Sequence, residues 1–131
     1  MGSFVSYLNR LNPELHEGTY VFTSVPFNTD INGLSIVASV HEEEGLTLVL
    51  PEQQAMQRGF PIQSRCSWIT LGVESALDSV GLTAAFSRAL ADLSISCNVM
   101  AGVNHDHLFV PFDRAADALL CLRELAHGIN P

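Results

Sequence analysis

The stretch Leu34-Ser35-Ile36-Val37-Ala38-Ser39-Val40-His41 puts Leu34, Ile36, Ala38 and Val40 on one face and Ser35, Val37, Ser39 and His41 on the other. Glu42-Glu43-Glu44-Gly45 interrupts it, and Leu46-Thr47-Leu48-Val49-Leu50 follows. Strict alternation is the signature of a strand with one face buried. The acidic run ending in glycine is a turn, so the two runs predict a hairpin. Pro51 then suits the first turn of a helix, where its missing N–H would have no partner anyway. That helix is expected to reach about Arg58, before Gly59. The unit read from these residues is strand, strand, helix.

The same unit recurs downstream. Ser96 to Val103 reads as a strand, Asn104-His105-Asp106 as a turn and His107 to Phe112 as a returning strand. Asp113 is placed as the cap of a last helix, with Ala115, Leu119, Leu122 and Ala126 along one side and Gly128 at its end. Each hairpin has a strand before it. In the first half it is Thr19 to Val25, followed by a loop from Pro26 to Gly33. In the second it is Cys66 to Val73, followed by a loop from Glu74 to Ser79. A helix with Leu82, Phe86, Ala89, Leu90 and Leu93 on one stripe comes next. Phe4, Leu8 and Leu11 predict a short opening helix, stopped by Asn12-Pro13. The halves are therefore β–ββα and βα–ββα, the first lacking its first helix. Gly-Leu-Thr at 45–47 and again at 81–83 is a faint echo between them. Gly, Pro, Gln and Ser cluster between Gly59 and Arg65, which divides the chain into residues 1–62 and 63–131. Halves this small rarely hold a sufficient core alone. The fold class expected is α+β: two βαββαβ-related halves, antiparallel sheet, helices on one face.

Composition narrows the function. The 131 residues carry a net charge of −8, and all six basic residues are arginine. An acidic chain is a poor match for nucleic acid or for an anionic membrane surface. Without lysine there is no amine for a Schiff base or a phosphate-binding loop. No apolar run approaches roughly 18 residues, and Met1-Gly2-Ser3-Phe4 does not open a secretory signal. Cys66, Cys97 and Cys121, odd in number and set among apolar or small residues, read as reduced buried thiols. A cytoplasmic location is expected.

Three places could carry chemistry. In Asp78-Ser79-Val80-Gly81-Leu82-Thr83 a strand end passes into a helix. The free N–H groups of a helix start attract a carboxylate, Gly81 allows close approach, and Asp78 could hold an ammonium. Together they fit an amino acid zwitterion; the plainer reading is that Asp78 or Ser79 caps the helix. Asn104-His105-Asp106-His107 offers two imidazoles on one strand face, but a metal needs three or four ligands and no distant partner is evident. The turn reading is favoured there. Glu42–Glu44 reads as a solvated tip or as a wall selecting cationic ligands. No Gly-x-Ser-x-Gly, Gly-x-x-x-x-Gly-Lys or His-Glu-x-x-His motif occurs.

From Ser67 to Asn98 the chain resembles the ACT domain. The residues that carry the likeness are Ile69-Thr70-Leu71, Asp78-x-x-Gly81-Leu82-Thr83, Phe86 with Leu90, and Ser94-Ile95-Ser96-Cys97-Asn98-Val99. Glu44 to Val49 and His105 to Pro111 extend it to an uncharacterised bacterial group of tandem ACT-like proteins, over about Leu11 to Leu125. The resemblance implies two ferredoxin-like halves, no catalysis, and binding of an amino acid or similar small effector between paired units. Carried over by position, it points to Asp78, Val80, Gly81, Leu82 and Thr83 on the turn and to Asn98 and Val99 on the facing strand. This chain has Val80 where the commoner turn has proline. It implies no cofactor and no metal. A homodimer is expected because dimers are the commonest assemblies. The alternatives are an interaction module without a ligand, or a small metalloenzyme using His105, Asp106 and His107.

Overall fold

The computed structural model describes residues 11–72 and 81–127. The elements are β1 (Glu14–Leu15), β2 (Tyr20–Val25), β3 (Ala38–His41), β4 (Leu46–Pro51), α1 (Glu52–Gln57), β5 (Ser64–Leu71), α2 (Leu82–Asp92), β6 (Asn98–Ala101), β7 (Asp106–Pro111), a 3-10 turn (Phe112–Arg114) and α3 (Ala115–Ala126). They form two compact units, Gly18–Cys66 and the remainder, Met1–Glu17 with Ser67–Pro131.

In the Gly18–Cys66 unit the strand order is β3-β4-β2-β5. β4 pairs antiparallel with both β3 and β2, with Ala38 opposite Val49 and Phe22 opposite Val49. β2 also pairs with the start of β5, Tyr20 opposite Cys66. Alternation in β2 buries Val21, Thr23 and Val25. Val21, Val25, Leu46, Leu48, Leu50 and Ala55 make the core. The missing first helix is replaced by apolar loop residues: Ile31, Leu34 and Ile36 pack against this core. The alternation from Leu34 predicts strand, but β3 starts only at Ala38, because Leu34 and Ile36 leave the ladder to fill that gap. Polar groups of α1 tie the loop down. Arg58 donates to the carbonyls of Asp30 (2.8 Å) and Asn32 (2.6 Å), and Gln54 Oε1 accepts from the Ser35 amide (2.8 Å).

The other unit orders its strands β6-β7-β5, with β1 on the far side of β5. β1 is antiparallel to β5, Glu14 opposite Thr70, and β6 to β7, Asn98 opposite Phe109. Ile69 and Leu71 of β5 and Leu108 and Val110 of β7 share one face. Leu82, Phe86 and Leu90 of α2 and Ala118, Cys121 and Leu122 of α3 cover it. Leu11, fully buried, belongs to the same core.

Numbered in chain order, the first unit reads second-third-first-fourth; the second unit reads the same once its count starts at Ser67 and β1 is placed last. This is the ferredoxin-like order, with the first strand between the third and the fourth. Strand β5 serves both units. Ser64–Cys66 is the fourth strand of one, and Ser67–Leu71 the first strand of the other. The fourth strand of the second unit is β1, from the chain's N-terminal side.

Several local expectations are corrected. Pro51 ends β4 and stands at the N-cap of α1 rather than inside it. Asp113 lies in the 3-10 turn, and Arg114 takes the N-cap of α3 with no side-chain cap bond. Leu93 leaves the α2 stripe, because the helix ends at Asp92; it is 41% exposed. The Gly-Leu-Thr echo is not structural: Leu46-Thr47 opens a strand and Leu82-Thr83 opens a helix. The opening helix apart from Leu11, the Glu74–Ser79 loop and Gly128 lie outside the described residues.

Candidate functional site

The α2 start is built as follows. β5 runs out at Leu71, and the Gly72 amide donates to the Leu11 carbonyl (2.8 Å). Gly81 stands at the N-cap of α2 with φ 90° and ψ −17°, a left-handed conformation that glycine adopts without strain. Among the described residues no side chain caps this helix; Asp78 and Ser79, which the plainer reading makes the cap, lie outside them. The first N–H groups of this eleven-residue helix have no side-chain acceptor among the described residues, and the positive end of its dipole lies behind them.

Beside that start runs a groove of about 910 Å³, lined by Gly81, Ala84 and Arg88 of α2 and by Ile95, Ser96 and Cys97 leading into β6. Small residues on the helix leave room, and Arg88, 80% exposed and paired with Asp92, supplies a cation. Of the residues singled out in the sequence, Gly81 lines the groove. Leu82 turns its side chain into the core, so only its backbone is available to a ligand. Thr83 is exposed, as are Asn98 and Val99 on β6. Asp78 and Val80 lie outside the described residues.

A second cluster was not legible as such. His16, just past β1, stacks on Trp68 of β5 with ring centres 3.5 Å apart. His16 Nε2 lies 2.7 Å from Thr70 Oγ1. Trp68 Nε1 donates to His107 Nδ1 (3.1 Å), which also lies 3.1 Å from Thr70 Oγ1. His105 meets His107 edge to face, ring centres 6.5 Å apart, so the two do share a face as their spacing implied. Asp106 points the other way; it is 1% exposed and neither carboxylate oxygen has a hydrogen-bond partner among the described residues. Burial pushes its pKa up. Burial lowers His107, with His105 and His16 adding to the effect, and burial also lowers His16 against the pull of Glu14. Among the described residues no three His, Cys, Asp or Glu side chains converge as metal ligands. His107 Nδ1 is already engaged by protein donors. The only sequence signal for this cluster was the two-residue spacing of the histidines; β1 is too short for a pattern.

Burial disfavours the reactive thiolate form of all three cysteines. Cys66 and Cys121 are buried and Cys97 is half-buried. Burial pushes Cys66 and Cys97 up to about 11 and raises Cys121 as well.

Two ACT domain families match the chain in succession, over residues 5–67 and 63–124. The chain is a tandem ACT-domain protein. ACT domains are regulatory, non-catalytic modules, and the tandem protein is a regulatory module on that ground. A Vibrio cholerae protein of unknown function, described as a possible transport protein, is 43% identical. That likeness covers 95% of this chain and 96% of the other, with TM-score 0.83. An Agrobacterium tumefaciens protein shares the fold at 17% identity and TM-score 0.71, with 87% of each chain covered. The regulatory subunit of aspartate kinase from Thermus thermophilus, ligand free, shares it at 7% identity and TM-score 0.67, with 88% of this chain and 97% of that one covered. No curated protein matches. No helix among the described residues is long and apolar enough to cross a membrane.

Proposed function

We propose that this tandem ACT-domain protein is an amino-acid-binding regulatory module, with its effector held at the start of α2. The N-terminus of α2, with left-handed Gly81 at its start and no side-chain cap among the described residues, beside an open groove, is the observation that carries this reading. The effector's carboxylate takes the free N–H groups after Gly81, where the helix dipole favours negative charge. Asp78 holds its ammonium group. Thr83, Asn98 and Val99 border the ligand, and Val80, Gly81 and Leu82 offer backbone.

The module works as a homodimer in the cytoplasm. β6, which carries Asn98 and Val99, is the last strand of its unit's order, and an edge strand presents backbone groups for pairing. A partner there would close the groove over the effector. Residues 1–62 and 63–131 are the two ACT halves, and the effector belongs to the second.

A thermal screen of the twenty amino acids tests this. A ligand at a hundred times its Kd stabilises by about 2.7 kcal/mol, a shift of several degrees. Asp78→Ala is expected to abolish the shift. A screen in which no amino acid moves the melting temperature overturns the reading.

A further inference from the structure

We propose that His107 is a pH-sensitive latch that fastens the segment Leu11–Glu17 onto its own unit. The hydrogen bonds determine who donates. The indole N–H of Trp68 can only donate, so His107 Nδ1 must accept and carries no proton. The Thr70 hydroxyl, also 3.1 Å from that nitrogen, gives it its single proton, leaving its oxygen to accept from His16 Nε2–H at 2.7 Å. The direction is His16 to Thr70 to His107, with Trp68 entering from the side. His16 also lies flat on the Trp68 ring, and its amide donates to the Trp68 carbonyl (2.9 Å).

A proton on His107 Nδ1 breaks this arrangement. The nitrogen becomes a donor facing the Trp68 N–H, which has no way to turn round. Thr70 must then accept from both imidazoles. Of the charged groups around the latch, His105 and His16 disfavour a proton on His107, while Glu14 opposes the depression of His16. From the β6–β7 turn His105 faces His107, and from the docked segment come His16, Glu14 and Glu17. β5 presents Trp68 and Thr70, which do not titrate near neutrality, and β6 presents Met100 opposite His107. Asp106 lies on the opposite face.

The sign follows. Burial depresses both His107 and His16 below the ordinary 6.5 when the segment is docked. Docking is therefore fully stabilised above about pH 6.5 and weakens as pH falls through the depressed values, as linkage requires. The far end of the segment is also fastened, by the Gly72 amide on the Leu11 carbonyl, so release frees the end of β5 as well.

Hydrogen exchange, corrected for the intrinsic pH dependence, tests this on the full chain. The His16 and Gly72 amides are expected to lose at least tenfold in protection between pH 7 and pH 5. The Ile95 amide, bonded to the Leu90 carbonyl within the core, should hold its protection. His107→Asn puts an acceptor that cannot be protonated near the Nδ1 position and is expected to keep His16 protected at pH 5. Equal loss in this variant, or no loss in the natural protein, overturns the latch. If the variant does not fold, ring nitrogen shifts of the natural protein decide: His107 protonation and His16 release must share a midpoint, and separate midpoints overturn the proposal.

Discussion

Arg58 donates a guanidinium N–H to the carbonyl oxygen of Asn32, 2.6 Å away, across 26 residues of sequence. With a second bond to the Asp30 carbonyl, it pins the loop that stands where the first helix of an ACT unit is absent. A planar fork can meet two carbonyls at once, and an ammonium group meets them less well. Arg58→Ala is expected to cost about 1 kcal/mol in urea unfolding and to speed amide exchange at Ser35. Arg58→Lys should recover only part of it.

Asp106→Asn is expected to stabilise the protein at pH 7. The buried carboxyl has no hydrogen-bond partner among the described residues, and burial raises its pKa from the ordinary 3.8. The folded state thus binds the proton more tightly than the unfolded one, and its stability falls as pH rises through the raised value. Leaving a buried polar group unsatisfied costs roughly 1–3 kcal/mol, more when it is charged. The melting temperature of the variant should exceed that of the natural protein at pH 7, and the gap should close near pH 3.5.

Gly45→Ala is expected to be destabilising. A Cβ there would lie 2.8 Å from the Val25 carbonyl oxygen, and backbone on a paired strand yields poorly. The hairpin tip, where Glu42 and Gly45 exchange both backbone bonds, would have to shift. A loss of roughly 1–3 kcal/mol is expected, read as a lower urea midpoint.

Phe86→Ala and Phe27→Ala separate core from surface. Phe86 is fully buried between strands and helices, and its removal should cost about 3–5 kcal/mol. Phe27, 54% exposed and stacked on His41, should cost under about 1 kcal/mol.

Cys97 reports on the groove it lines. With its thiol pushed up to about 11 from 9.0, thiolate at pH 8 is about a hundredfold scarcer than for an unperturbed cysteine. Alkylation should be slow by that factor, and slower still with an effector bound. Labelling at the rate of a free thiol contradicts the burial.

Much of this was legible in the sequence because periodicity records burial. Leu82, Phe86, Ala89 and Leu90 fell on one stripe and are all buried. β2 alternates where one face meets a core. Where alternation had another cause it misled: Leu34 and Ile36 pack as loop. The two residues of β1 carry no period, so neither the N-terminal strand nor the His16–Trp68 stack was visible. Of the candidate site, Gly81 could be read from glycine before a helical stripe. The groove could not, since it comes from what Ala84 and Ala85 do not fill.

Strand β5 gives the order of events at the ribosome a particular shape. The Gly18–Cys66 unit is one uninterrupted piece and can close once its last three β5 residues emerge. The residues up to Glu17 have emerged earlier still, yet their partners begin only at Ser67. At roughly 5–20 residues per second, that is a wait of about 3–10 s before Leu15 can meet Ile69. During that interval Glu14 and Leu15 have no strand to pair with, and a chaperone would find them there.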